Sequence, residues 1–157
     1  MRFCEKYKKV PLLASANINA GVDSDSICMK NYHSASFDIV FGPSYAGAAG
    51  AIIKVYSGVT VGAKTTAMTF PYRYTSAAIK AASGDVMTAE ATSAALQIAT
   101  ATMVSRLLTI DVDAAKMTAG HSWLTIEIGA EADSGEMTIM AHLVPRYAYT
   151  GTETATA

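Results

Sequence analysis

The stretch GVTVGAKTT brings Gly58, Gly62, Lys64 and Thr65 close together, the residue types from which a phosphate-cradling loop is made. Such a loop needs four residues between its glycines, lysine directly after the second, and a helix beyond it whose N-terminus receives the phosphate. Here three residues intervene, Ala63 separates Gly62 from Lys64, and the residues after Thr65 read as a strand. The segment is a loop between strands. His33, His121 and His142 stand far apart and form no HExxH pair, so no zinc site is expected. Asp23-Ser24-Asp25 and Asp111-Val112-Asp113 each offer oxygens suited to calcium, yet neither continues into an EF-hand pattern. The first reads as a solvated turn and the second as the polar end of a strand. Glu127, Glu131 and Glu136 are the carboxylates from which a glycosidase pair would be drawn, but glutamates on the outer face of a strand usually serve solubility. There is no GxSxG elbow and no Cys/His pair with a recognised local context. Cys4 and Cys28 are too few and too separated for a zinc or CxxC motif and are expected to be reduced; a disulfide between them would require an oxidising environment. These residues predict a non-enzymatic chain with no metal and no cofactor.

One charge cluster has a plausible task. Arg2, Lys6, Lys8 and Lys9 are interleaved with Phe3 and Tyr7, a basic arm that can lie across an acidic neighbour and anchor through its rings. The rest of the chain is sparsely charged: 16% of its 157 residues, against roughly 25% in ordinary soluble domains. A chain so short of charge either hides surface in an assembly or covers it with Ala, Ser and Thr. The net charge of −1 supplies no field for nucleic acid or an anionic membrane. Apolar runs stay well short of the roughly 20 residues a membrane helix needs, and MRFCEKYKKV is too polar for the core of a signal peptide, so synthesis in the cytoplasm is expected.

The elements that would position these groups are strands. Period-two alternation recurs from Leu12 onward, interrupted by Gly, Asp, Ser and Pro. In SASFDIVFGP, Phe37, Ile39 and Phe41 face one way while Ser36, Asp38 and Val40 face the other; in AIIKVYSG, Ile53 and Val55 alternate with Lys54 and Tyr56. In AMTFPYRY, Met68, Phe70 and Tyr72 share a face and Pro71 favours a sheet edge or bulge. LLTIDVDA, SWLTIEIGA and MTIMAHLV complete the pattern. Residues 75–84, rich in helix formers and closed by Gly84, predict a short helix, and the stretch around Leu96 and Ile98 a strand. The expected fold is all-β, an antiparallel jelly-roll-like sandwich of about eight strands with at most one or two short helices. Its expected divisions are an arm at residues 1–10, a domain at 11–149 and a flexible tail at 150–157.

The arrangement of short segments resembles small virion structural proteins of tailed bacteriophages. It includes the Asp-rich turn before Met29-Lys30-Asn31, the FDIVFG strand, the Asp-containing strand leading to Gly120 and Trp123-Leu124, and Pro145-Arg146-Tyr147 at the end of the fold. The resemblance covers nearly the whole chain and implies an auxiliary or decoration protein on the capsid exterior. It also implies a location on the virion, contacts with the major capsid protein or with copies of itself, and a homo-oligomer with a trimer favoured. It carries over no catalytic residue. Candidate contact residues are Arg2, Phe3, Lys6, Tyr7, Lys8, Lys9, Tyr45, Tyr147 and Tyr149. A competing expectation is a glycan-binding, host-recognition module of a tail or fibre, for which Trp123 beside His121 and Ser122 offers an aromatic platform. A small hydrolase would rest only on the scattered carboxylates.

Overall fold

Alternation on one strand organises the rest. In the computed structural model, which describes residues 6–45, 50–130, 135–147 and 155–156, β4 (Tyr32–Phe41) buries Ala35, Phe37, Ile39 and Phe41 to 3% exposure or less. Its intervening residues Ser34, Ser36, Asp38 and Val40 face outward. β4 is flanked on both sides, by β10 (Leu107–Asp113) and by β12 (Glu136–Pro145). Those neighbours repeat the alternation, burying Leu108, Ile110 and Val112 on one and Met137, Ile139, Ala141 and Leu143 on the other. β1 (Lys8–Asn17) pairs with the far side of β12, and β7 (Phe70–Tyr74) followed by β8 (Ala91–Ser93) extends the sheet beyond β10. The first sheet therefore runs β1-β12-β4-β10-β7-β8.

The second sheet faces it across the core. It runs from β2 (Val22–Asp23) through β11 (Trp123–Ile128) and β5 (Ile52–Gly58) to β6 (Thr66–Met68), with β3 (Ile27–Cys28) also on β11 and β9 (Leu96–Gln97) on β5. Leu124, Ile126, Ile128, Ile53 and Val55 point inward from it. All these pairings are antiparallel. They nest: β1 with β12, β2 and β3 with β11, β4 with β10, and β5 with β6, around the loop at residues 59–65. The chain is thus one long hairpin rolled so that successive paired segments fall alternately in the two sheets, the jelly-roll solution to closing an antiparallel sheet on itself. The chain crosses between sheets at Thr69, which puts Met68 in one and Phe70 in the other with both buried.

Rolling sorts the connections to opposite ends. At one end, Gly42 N–H donates to the Glu136 carbonyl and Gly129 N–H to that of Ile52. At the other, Ser122 bridges the Gly58 carbonyl and the Met29 amide, and the Gly62 amide donates to Ser26 Oγ. Both β1 and β4 begin at this second end and β12 finishes there, with Arg146 bonded to the Asn31 and Tyr32 carbonyls. The second end therefore gathers the start of β1, the exit from β12 and the loop at residues 59–65.

Several expectations need correction. No helix forms at residues 75–84; they are a run of turns, with the Ile79 amide bonded to the Ser105 carbonyl and the Arg106 guanidinium donating to the Thr75 and Ser76 carbonyls. A helix this short gains little by itself, and those external partners prevail over it. The strand around Leu96 is only two residues long, and Thr100–Met103 form a one-turn helix, α1, that buries Met103. The arm is shorter than expected, because Lys8, Lys9 and Val10 already pair with Leu143, His142 and Ala141. In the C-terminal tail, Ala155 is buried and Thr156 bridges Ile27.

Because β4 carries the central row of the core, Phe37→Ala is expected to cost about 3–5 kcal/mol through lost burial and a residual cavity. Val40→Ala, outward on the same strand, is expected to change stability by less than about 0.5 kcal/mol. Urea denaturation of both variants checks the contrast.

Candidate functional site

The chemically capable residues fall into separate places. On the outer face of the first sheet, β4 contributes Ser34, Ser36 and Asp38, β10 contributes Asp111 and β12 contributes His142 and Val144. Register explains the gathering: His142 and Asp111 both lie opposite Ser36, and Thr109 lies opposite Asp38. Thr109 Oγ1 donates to Asp38 Oδ1 at 2.9 Å, and His142 Nε2 lies 2.9 Å from Asp38 Oδ2. Short serines between longer flanks leave an open trough of about 410 Å3, walled at the second end by Tyr7. An aromatic wall over hydroxyls and carboxylates can hold a small polyhydroxylated ligand, since the ring covers its C–H face and the carboxylates accept its O–H groups.

A second cluster lies on the outer face of the other sheet. Lys64 Nζ donates to Asp23 at 3.0 and 3.1 Å and to Glu127 Oε2 at 2.6 Å, tying the loop at residues 59–65 to β2 and β11. The hydrogen bonds from Lys64 to Glu127 and then Asp23 push the lysine up to about 12. The ammonium is therefore charged at any ordinary pH and is a structural tie, not a base. This loop is a strand connection, as its spacing predicts, and Gly62 takes a positive φ of 72° at its turn.

Other sequence candidates also take structural positions. Glu127 belongs to the Lys64 tie and Glu136 accepts from Ser15 on β1, in different sheets; Glu131 lies outside the described residues. His121 Nδ1 is 2.8 Å from the hydroxyl of buried Ser57, and Ser122 is held through its backbone. The platform expected at Trp123 is thus a half-buried cross-strand position opposite Gly58 and Cys28. Asp113 caps a 3-10 turn by accepting from the Ala115 amide. In Asp23-Ser24-Asp25 the two aspartates are exposed as expected, but Ser24 is buried, its Oγ accepts from the Ile126 amide, and Ser26 Oγ lies 2.7 Å from Thr125 Oγ1. The chain there runs along β11 and substitutes hydroxyls for missing ladder bonds. Sequence alone offers no sign that these serines are inside.

Of the candidate contact residues, Lys6, Tyr7, Lys8 and Lys9 share the second end with Tyr147, which is 75% exposed. Lys6 Nζ lies 5.2 Å from the Tyr7 ring centroid. Arg2, Phe3 and Tyr149 lie outside the described residues, as does Cys4. Tyr45 is corrected from contact residue to core: it is 3% exposed, packs edge-on against Phe41 at 4.8 Å, and its hydroxyl accepts from the Ala51 amide. The ring lies among Phe41, Ala51, Ile53, Met103 and Leu108, an apolar surrounding that draws it inward. The second end also exposes Val59 and Val61, at 59% and 50%.

Lys64→Met is expected to lower stability by about 0.2–1 kcal/mol at neutral pH and low salt, the range of exposed ion pairs, and by less at high salt. A lysine raised in the folded state stabilises fully below its ordinary value of 10.5 and loses that contribution as pH rises through about 12. The gap between wild type and variant should accordingly be flat to about pH 10 and close above it, measured by chemical denaturation at graded pH.

No protein-family model matches the chain, and no curated protein sequence matches it. Among solved structures, the crystal structure of SPBc2 prophage-derived protein YomS is similar, with a TM-score of 0.53 over 88% of this chain and 92% of that one. At 13% identity the likeness is one of fold: two proteins of nearly equal extent share a sandwich while most of their residues differ.

Proposed function

We propose that the protein is a non-enzymatic structural component of a phage particle that decorates or stabilises the capsid exterior through subunit contacts. The observation that carries this reading is that Val59 and Val61, 59% and 50% exposed, and Tyr147, the most exposed large apolar side chain among the described residues at 75%, lie at the end of the sandwich that also presents Lys6 and Lys9. Apolar and aromatic groups rimmed by charge are the composition of a protein contact surface. Two further points support it. Lys64 with Glu127, His142 with Asp38 and His121 with Ser57 are engaged in ties between segments, and the fold is shared with a prophage-derived protein. Partners would be the major capsid protein, further copies of this chain, or both, with a trimer as the favoured oligomer. Weak individual contacts suffice where many copies are held in register on a lattice.

A second reading draws on the trough beside Tyr7: host recognition through a surface glycan, as part of a tail or fibre. Its ring, serine hydroxyls and carboxylates have the chemistry of a sugar site, whereas the second end has that of a protein contact.

Binding to particles lacking the protein separates the two. Under the leading reading, purified protein saturates regular sites on the capsid shell, and the double change V59S/V61S or Tyr147→Ala weakens binding at least tenfold without altering thermal stability. Removing residues 1–7, which spares β1, should weaken it too. Density confined to the tail, or unchanged affinity in these variants, would discard it. Under the second reading a glycan array gives a signal that Tyr7→Ala abolishes; a blank array removes that option.

A further inference from the structure

The C-terminal residues make a contact that their composition does not announce. β3 is paired on one side with β11, Ile27 opposite Leu124 and Cys28 opposite Trp123. On its other side it is covered by the chain's own terminus: Thr156 bridges Ile27 in antiparallel sense, and the Cys28 amide donates to the Ala155 carbonyl at 2.8 Å. Ala155 is 2% exposed and belongs to the hydrophobic core cluster, while Ile27 is fully buried. The terminus thus bridges the edge of the second sheet, with backbone hydrogen bonding for affinity and a buried alanine for fit. This is the geometry by which extended peptides join sheet edges. Ala155 and Thr156 suit it, because threonine favours extended backbone and alanine is small enough to be buried across from Cys28.

We infer that the Ile27–Cys28 edge is a strand-acceptor site for this C-terminal segment, and that between crowded copies the segment is exchanged, the terminus of one chain filling the edge of another. Eight Cα steps separate Tyr147 from Ala155 and span up to about 27 Å, so the terminus of a neighbour docked at this end is within reach. A short tether gives a chain's own terminus an effective concentration on the order of millimolar. Its own terminus therefore wins in dilute solution, and a neighbour's competes when copies are packed at comparable concentration. The contact itself is the same in both cases. Its partner is a second copy of this chain, and the inference stands whether or not the copies meet on a phage particle.

Cys28 provides the readout. It is unbridged and, by the register that sets Thr156 opposite Ile27, lies across from Ala155; directly opposed residues of a hydrogen-bonded antiparallel pair stand about 5.5 Å apart at Cα, inside the roughly 4.4–6.8 Å that a disulfide accepts. In full-length chain carrying C4S and A155C, mild oxidation is expected to give a disulfide within one chain at micromolar protein and a growing share of disulfide between chains as concentration approaches millimolar. Both species should vanish when C28S is added. Intramolecular product alone at every concentration would overturn exchange, and no disulfide at all would overturn the docking. Should the cysteine perturb folding, C4S protein with its terminus intact can be incubated with excess peptide of residues 150–157 carrying A155C. Capture by Cys28 at least tenfold above a scrambled peptide of the same composition is expected, and equal capture of the two would count against the acceptor site.

Discussion

The parity of β4 is the constraint on which the remaining structure depends. That strand is bonded along most of its length to β10 on one side and β12 on the other, so its inward row of Ala35, Phe37, Ile39 and Phe41 sets the register of both neighbours. A slip of one residue would turn Asp38 into the core and Phe37 and Ile39 to water. The two flanking strands lie more than sixty and ninety residues downstream of β4, so this register is fixed by long-range pairing and not by a tight turn. Once it is set, β1 has one available edge, against β12, and the nested partners β11 and β5 must form the facing sheet. The trough on the outer face arises from the same parity, since Ser34, Ser36 and Asp38 are the residues the inward row leaves outside.

The second sheet solves a different problem. Its strand beside β11 is interrupted between Asp23 and Ile27, which would leave polar backbone groups without partners next to a buried strand. Ser24 Oγ accepts from the Ile126 amide, and Ser26 pairs with Thr125 while accepting from the Gly62 amide. These hydroxyls let the edge bend without leaving β11 unsatisfied, and they couple it to the loop at residues 59–65, which Lys64 fastens from outside. Ala155 and Thr156 cover that edge at Ile27 and Cys28. An exposed edge invites pairing with other chains, and covering it by a tethered segment limits that pairing to partners bearing the same segment.

Local patterning made the strands readable and left their surroundings obscure. Phe37/Ile39/Phe41, Leu124/Ile126/Ile128 and Ile53/Val55 face inward as their alternation indicates, because a half-buried strand writes its two faces directly into residue order. The two-sheet, all-β architecture is built on those same rows. Where position depends on distant partners, residue order misleads. Residues 75–84 have the composition of a helix, but Arg106 and Ser105 hold them as turns. Tyr45 looks like a surface aromatic in a small-residue loop and is core; Ser24 looks solvated and is a ladder substitute. The trough beside Tyr7 joins residues from four segments, each unremarkable alone, and no spacing rule connects Tyr7, Asp38, Asp111 and His142.

The distribution of charge separates the sheet faces from the second end. Some of the charged side chains of the two sheets are engaged in pairs on the outer faces, Lys64 with Asp23 and Glu127 and Arg73 with Glu90, while Asp38 lies within hydrogen-bond distance of His142. Paired charges on sheet faces give solubility while leaving little net field, which lets like copies approach without strong mutual repulsion. At the second end the exposed valines and Tyr147 present apolar area beside the lysines that begin β1. A contact made there would bury apolar groups while the lysines stay hydrated at the rim by virtue of their long stems. Because the start of β1, the exit from β12, the loop at residues 59–65 and the Ala155–Thr156 contact all converge on that end, any contact that ordered it would stabilise the rolled hairpin as a whole, and binding there would draw on the same bonds as folding.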